Sequence, residues 1–157
     1  MDFIAVQNDD FNIANEYQTL CEQNTQAGAI VFFSGLVRDR NEGSDVTGLF
    51  LEHYPGMTER SLEDIVKQAR LRWPIFHVRL IHRVGQLGIN EQIVFVGVSS
   101  AHREAAFDVC RFIMDYLKTD APFWKKETRT DGAHWIETQQ KDRVAKQAWT
   151  RHQAKPE

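Results

Sequence analysis

The sequence predicts a single α+β domain. Three features predict it: short runs of β-branched and aromatic residues that are typical of strands, two amphipathic patterns that are typical of helices, and the order in which they follow one another. The order is strand, strand, helix, strand, strand, helix, strand, strand, so strands are grouped rather than alternating singly with helices. The whole chain of 157 residues fits one domain, with a polar tail from about residue 140 that ends in a possible terminal helix.

The first third of the chain predicts two strands. Residues 11–21 have a weak helical pattern, and residues 28–37 form a run of β-branched and aromatic residues typical of a buried strand. Residues 38–47 are polar and contain Gly43-Ser44-Asp45, which predicts an exposed, mobile loop. A second strand is expected over residues 48–54, before Pro55 and Gly56.

The middle of the chain predicts a helix and two strands. Apolar residues at helical spacing from Leu62 to Trp73 predict an amphipathic helix that Pro74 ends. Strands are expected over residues 76–84 and 92–99, joined by a turn that contains Gly85 and Gly88.

A long helix follows, and its end is well marked. Ser99 or Ser100 is the expected N-cap, and an apolar stripe then continues to Leu117. Pro122 cannot continue the helix and favours an extended conformation at the preceding residue, so residues 123–130 are predicted to leave as a strand. Asp131-Gly132 is a strong hairpin signal between this strand and one over residues 133–138.

Composition excludes several classes of protein. The 19 basic and 22 acidic residues give a net charge of −3, which argues against a general nucleic-acid binder. No run approaches the ~20 apolar residues of a membrane span, and the N-terminus lacks a signal peptide, so we expect a cytoplasmic protein that does not associate with membranes. Cys21 and Cys110 do not form a disulfide framework, and Cys110 is expected in the core.

The sequence also lacks the common cofactor and nucleophile motifs. Its six histidines do not have metal-ligand spacing, and neither a glycine-rich phosphate loop nor a serine-hydrolase elbow is present. We therefore expect no metal and no cofactor.

Cationic residues at both ends of the long helix are the candidate site. His102 and Arg103 stand where free backbone N–H groups and the helix dipole favour an anion, although both could instead face water or pair with Glu104. Lys118 lies at the other end of this helix, and Arg38 follows a buried strand, where binding residues are often found.

Two further lysines, Lys125 and Lys126, follow on the next strand. They point to opposite faces of it, so only one can share a site with Lys118. Two ammonium groups about 4 Å apart repel by roughly 1–4 kcal/mol, which would lower the pKa of one lysine toward neutrality. The alternative is a solvated lysine cluster.

Several long segments resemble the large, catalytic subunit of molybdopterin synthase. They cover residues from about 28 to 137 and read L-E-H-Y-P-G-M-T, R-W-P, I-H-R-V-G, I-V-F-V-G-V-S-S-A-H-R and F-I-M-D-Y-L-K-T-D-A-P-F-W-K-K-E. The resemblance implies an α/β-hammerhead fold with a small added β subdomain. It also implies a sulfurtransferase that converts cyclic pyranopterin monophosphate (precursor Z) to molybdopterin.

The resemblance further implies partners and site residues. Sulfur would arrive as a thiocarboxylate on the C-terminal Gly-Gly of a small ubiquitin-like subunit, bound to a homodimer within a heterotetramer. The catalytic residues would be Lys118 and Lys125. The substrate-binding residues would be these two lysines together with Leu36, Val37, Arg38, His102, Arg103, Lys126 and Glu127.

Two alternatives to this function stay open from the residues. One is a non-catalytic module that binds a ubiquitin-like tail, which needs an anion site but no lysine of lowered pKa. The other is an unrelated enzyme with a phosphate-containing ligand and no protein partner.

Overall fold

A computed structural model describes residues 2–41, 44–136 and 140–153. The helices are α1 (Ile13–Gln23), α2 (Met57–Arg72), α3 (Arg103–Asp120) and α4 (Gln140–Gln153). The strands are β1 (Phe3–Gln7), β2 (Ala29–Leu36), β3 (Arg40–Asn41), β4 (Ser44–His53), β5 (Ile75–Arg83), β6 (Gly85–Gly88), β7 (Gln92–Ser100), β8 (Phe123–Arg129) and β9 (Gly132–Ile136).

The first sheet has the strand order β1-β5-β7-β2 and carries helices on both faces. Only the β1–β5 pair is parallel. Alternation along β7 explains the two layers: Val96 joins the main core with α2 and α3, whereas Phe95 packs with Leu20 of α1 on the other face. Glycine at position 97 lets Leu20 pack close to the sheet, because a Cβ there would lie 2.6 Å from Leu20 Cδ1 and the leucine would have to shift.

The second sheet is the small added β subdomain. Strand β4 lies between β6 and β8, β9 forms a hairpin with β8, and β3 pairs with the start of β4. The two sheets are linked directly, because β5 is followed after Val84 by β6. Leu49, Leu51 and Leu87 bury one face of this sheet. The α+β class and the added subdomain are therefore confirmed.

Helix α3 and the segment after it position the site. The helix is preceded by His102, whose side chain makes no capping hydrogen bond, so the predicted cap at Ser99 or Ser100 is wrong. Both serines end β7, and the Ser100 hydroxyl donates to the His102 carbonyl instead. At the other end Ala121 is extended with a ψ of 131°, and β8 begins at Phe123, as the following Pro122 predicts.

Two loop predictions are wrong. The predicted mobile loop at 38–47 contains β3 and the first residues of β4, and residues 42 and 43 lie outside the described residues. The predicted turn around Gly85 and Gly88 is strand β6, which pairs with Gly48–Leu51 of β4. At β6 the ladder to the distant strand β4 outweighs the local turn signal, whereas β3 pairs with the start of the strand that follows it.

Near the two ends of the chain, the observed elements also differ in part from the predicted ones. Strand β1 was not predicted, and α4 confirms the possible terminal helix. The hairpin at Asp131-Gly132 is confirmed, with a φ of 122° at Gly132, whereas residues 137 and 138 of its predicted second strand lie outside the described residues. Within the described part of the chain, every helix is too short or too polar to cross a membrane.

Candidate active site

A cavity of about 500 Å³ opens between the two sheets, beside the C-terminal end of α3. Its walls come from the end of β2 and the residues after it, from the last turns of α3, from the inner face of β8, and from the start of α4. Apolar residues form much of the wall, and the polar residues that line it are Ser34, Arg38, His82, Lys118, Lys125, Glu127, Lys141 and Asp142.

Lysines from two elements meet in this cavity. Lys118 lies in the last turn of α3, where a cation interacts favourably with the helix dipole. Lys125 is half-buried on β8, five residues after Asp120, the last residue of α3. The alternation of β8 sends Lys125 and Glu127 to the cavity, whereas the Lys126 ammonium lies 5.3 Å from the centre of the Trp135 ring.

The pKa of Lys125 is lowered from its usual 10.5 to about 8. Burial is the larger cause, because a charged ammonium loses hydration in the cavity, and the positive charge of Lys118 adds to it. Asp142 and Glu127 oppose the shift. Lys125 therefore exchanges its proton near neutral pH, as the clustered lysines predict.

The backbone after β2 holds Arg38 at the cavity. Val37 is buried, its N–H donates to the Glu91 carbonyl at 3.0 Å, and its carbonyl accepts the Asn90 N–H at 2.9 Å. These two hydrogen bonds fix the backbone at Val37. Leu36 and Arg38, on either side of it, line the cavity. Leu36 is exposed, and Arg38 brings an exposed guanidinium to the rim.

Glu127 is the buried acidic residue of the site. Its carboxylate accepts a hydrogen bond from Arg129 Nε at 2.9 Å. The carboxylate thus brings negative charge into a cavity whose other described charges are mostly positive.

Three predicted site residues do not line this cavity. His102 and Arg103 are exposed at the start of α3. A helix of 18 residues is about 27 Å long, so they lie far from Lys118 at its other end. Within the described part of the chain neither side chain has an ion pair, so the alternative pairing with Glu104 does not occur. Lys126 is the third, on the outer face of β8.

Sequence reasoning missed His82, a buried residue of β5 that lines the cavity. Its Nδ1 lies 2.8 Å from the Arg83 carbonyl oxygen, and its ring stacks on Phe123 with 3.8 Å between ring centres. The available signal was a histidine directly after the apolar residues Leu80 and Ile81 of a predicted strand, where buried polar groups need a partner.

The remaining candidate groups lie in surroundings that do not favour catalysis or metal binding. Burial raises the pKa of the Cys110 thiol to about 12, which suits the predicted core position. Among residues 2–41, 44–136 and 140–153, no three His, Cys, Asp or Glu side chains are grouped so that they could hold a metal ion.

Comparison with known proteins identifies the family. The model of the MoaE protein family matches residues 6–120. A molybdopterin synthase catalytic subunit from Vibrio cholerae serotype O1 is 57% identical over 146 residues, which cover 93% of this chain and 97% of the relative.

Solved structures agree with the sequence match. A molybdopterin biosynthesis MoaE protein from Burkholderia ambifaria superposes with a TM-score of 0.82 at 46% identity, covering 96% of this chain and 99% of that one. A molybdopterin synthase from Staphylococcus aureus superposes with a TM-score of 0.77 at 29% identity, covering 84% and 95%. The chain belongs to the MoaE family.

Proposed function

We propose that this chain is the catalytic subunit of a molybdopterin synthase, a sulfurtransferase that converts cyclic pyranopterin monophosphate to molybdopterin. The observation that carries the proposal is the cavity itself, in which Arg38, Lys118 and Lys125 converge from three separate elements. The membership in the family, whose curated relatives have this name, supports it. Because the donor and the substrate are both anions, the site must neutralise two negative charges, and convergent cations do so.

Each cavity residue has a proposed role. Lys118 and Lys125 bind the thiocarboxylate of the sulfur donor through charge-assisted hydrogen bonds. Arg38 binds the phosphate of the pterin at the rim, and Leu36 and Val37 form the adjacent wall. Glu127 limits the net positive charge beside Lys125. Lys126 is left out, because its ammonium lies over Trp135 on the other face of β8.

The chemistry needs one proton acceptor of the kind that Lys125 provides. The thiocarboxylate sulfur forms a C–S bond with a side-chain carbon of the pterin while a C–O bond at that carbon breaks and its oxygen leaves as hydroxide, so the donor tail stays attached as a thioester. Water then cleaves the thioester: its oxygen becomes part of the tail carboxylate, the C–S bond to the tail breaks, and the sulfur stays on the pterin as a thiolate. A neutral amine at Lys125 takes the proton from this water.

The donor is a second protein, a small ubiquitin-like subunit with a thiocarboxylated C-terminal Gly-Gly. A relative that is named a catalytic subunit supports the existence of another subunit. The cavity suits an extended tail, since it has a volume of about 500 Å³, contains apolar wall residues and is cationic where a terminal anion would lie. We place the assembly, a homodimer within a heterotetramer, in the cytoplasm.

A second copy of this chain completes the site. The α3 helix separates His102 and Arg103 from Lys118 by about 23 Å along its axis, which is longer than the pterin phosphate. Both groups can therefore serve one substrate only if two chains contribute. In this arrangement, His102 and Arg103 of one copy bind the phosphate beside Arg38 of the other.

The test is reconstitution. The chain is mixed with the thiocarboxylated small subunit and cyclic pyranopterin monophosphate, and molybdopterin is measured as its stable oxidised fluorescent derivative. We expect product with the thiocarboxylate and none with the carboxylate form. Tight binding of the small subunit without product would contradict catalysis and favour a binding module. Product without the small subunit would contradict the partner.

A further inference from the structure

His82 is a buried residue of the cavity to which the proposed chemistry gives no role. Its side chain is 3% exposed, and it lines the same cavity as Lys118 and Lys125. A buried polar side chain in the wall of a ligand cavity needs a hydrogen-bond partner there, because leaving it unpaired costs about 1–3 kcal/mol.

The hydrogen bond on one side of the ring fixes what the other side offers. Nδ1 lies 2.8 Å from the Arg83 carbonyl oxygen, which can only accept, so Nδ1 carries the hydrogen. In the neutral ring Nε2 is then a lone-pair acceptor. The ring stays neutral because its pKa is lowered to about 3, chiefly by burial and further by the charges of Lys125 and Lys118.

The orientation of this acceptor is fixed as well. The imidazole stacks on Phe123 with an interplanar angle of 17°, so tilting the ring would lose the stacking and flipping it would lose the Nδ1 hydrogen bond. Within the described part of the chain, no hydrogen bond engages Nε2. The cavity thus contains one oriented, neutral acceptor close to two lysines.

We infer that His82 is a recognition residue for the donor tail, and that its Nε2 accepts the backbone N–H of the tail's last residue. This inference rests on the proposed function. In a peptide the nitrogen of the last residue lies two bonds from the carboxyl carbon, so an anion held by Lys118 and Lys125 brings that N–H within a few ångströms of them. The lysines recognise the charge, and His82 recognises the peptide group behind it.

The test removes either partner of this hydrogen bond. On the protein, His82→Phe keeps an aromatic ring against Phe123 and removes the acceptor. On the ligand, a semisynthetic small subunit carries glycolic acid in place of its last glycine, which turns the amide into an ester and removes the N–H without adding bulk. Binding of both tails is measured by calorimetry with wild type and variant, using carboxylate tails so that no turnover occurs.

We expect wild type to bind the glycolate tail about tenfold more weakly than the glycine tail, as for the loss of one hydrogen bond to a buried acceptor. The His82→Phe variant should bind both tails equally. His134→Phe, at a half-buried histidine of β9 outside the cavity, is the matched control and should keep the tenfold difference.

Equal binding of the two tails by wild type would overturn the inference, whether or not His82→Phe folds. A tenfold difference that persists in a folded His82→Phe variant would also overturn it, since another acceptor would then bind the N–H. If wild type bound neither tail, both the proposed function and this inference would fall. Failure of the proposed chemistry alone appears in a different assay, as missing product despite normal tail binding.

Discussion

Lys125 and Lys126 differ in the face of β8 from which they project, and this decides their chemistry. Lys125 is half-buried in a cavity with another ammonium, and Lys126 lies over an exposed tryptophan. With a pKa of about 8, roughly one Lys125 side chain in ten is neutral at pH 7, against about one in three thousand at the ordinary value. A usable base therefore arises from burial and a like charge alone.

The first prediction concerns the pH dependence of catalysis. If neutral Lys125 accepts the proton from water, turnover should rise with pH and level off above about 8, the pKa of Lys125. Lys125→Arg should lower turnover by at least 100-fold at every pH, because a guanidinium does not give up its proton. Turnover is measured from pH 6 to 9.5 with saturating small subunit, and a rate that falls as pH rises toward 8 would contradict the role as a base.

The second prediction concerns stability. Because the folded pKa of Lys125 lies below its unfolded value, the unfolded chain binds more protons between about 8 and 10.5, and Lys125 makes the free energy of unfolding rise with pH there. Below about pH 8 Lys125 is charged in the folded chain, and burial of this charge lowers the free energy of unfolding by its full amount. Lys125→Met should therefore be more stable than wild type at pH 7, with a gain that disappears by about pH 10.5.

Urea denaturation of both proteins across this range measures the difference in free energy of unfolding. Lys126→Met, on the opposite face of the same strand, controls for the loss of one positive charge. A gain from Lys125→Met that stays constant from pH 7 to 10.5 would show that the stabilisation comes from packing and not from the proton.

At the scale of elements, the sequence predicted correctly the features that depend on interactions between neighbouring residues. The break at Pro122, the hairpin at Asp131-Gly132 and the alternation of Lys125 and Lys126 follow from backbone restrictions and strand periodicity, and the structure has all three. Strands β1 and β6 were missed, because they are short and exist through pairing with β5 and β4. His82 was missed for the same reason: its place in the cavity depends on packing against Phe123, 41 residues away.

Helix α4 is placed on α3 mainly by Trp149, and Lys146 adds an ion pair with Asp120. Trp149 contacts Trp73 and Phe112 edge-on, and its Nε1 donates to Asp115 at 2.7 Å. The helix is polar and carries few other apolar residues, so this contact fixes the position of the cavity wall that α4 supplies.

The third prediction is that Trp149→Ala lowers the free energy of unfolding by about 2–3 kcal/mol, less than for a fully buried tryptophan. Hydrogen exchange of α4 backbone amides should become fast while α3 stays protected. Val144→Ala, at an exposed position of the same helix, is the matched control and should change neither measurement by more than about 0.5 kcal/mol. Unchanged protection of α4 in Trp149→Ala would show that other contacts hold the helix.

At the scale of the whole molecule, the length of α3 favours the proposed assembly of two chains. A rigid helix of about 27 Å keeps the cations at its two ends apart in every conformation of one chain. The proposed dimer with twofold symmetry would bring the start of one α3 near the cavity of the other, and it would do so twice. Each site would then take its lysines from one chain and His102 with Arg103 from the other.

The last prediction tests this arrangement by mixing two inactive proteins. Arg103→Ala lacks the phosphate contact, and Lys125→Ala lacks the base. In a mixed dimer, one site combines the intact Lys125 of the first protein with the intact Arg103 of the second, whereas the other site lacks both. After the dimers are unfolded and refolded together in equal amounts, half should be mixed, so activity should return to about a quarter of wild type. Each variant refolded alone is the control and should stay inactive. If the mixture stays as inactive as its parents although mass spectrometry shows mixed dimers, both residues act within one chain, and the second copy has no part in the site.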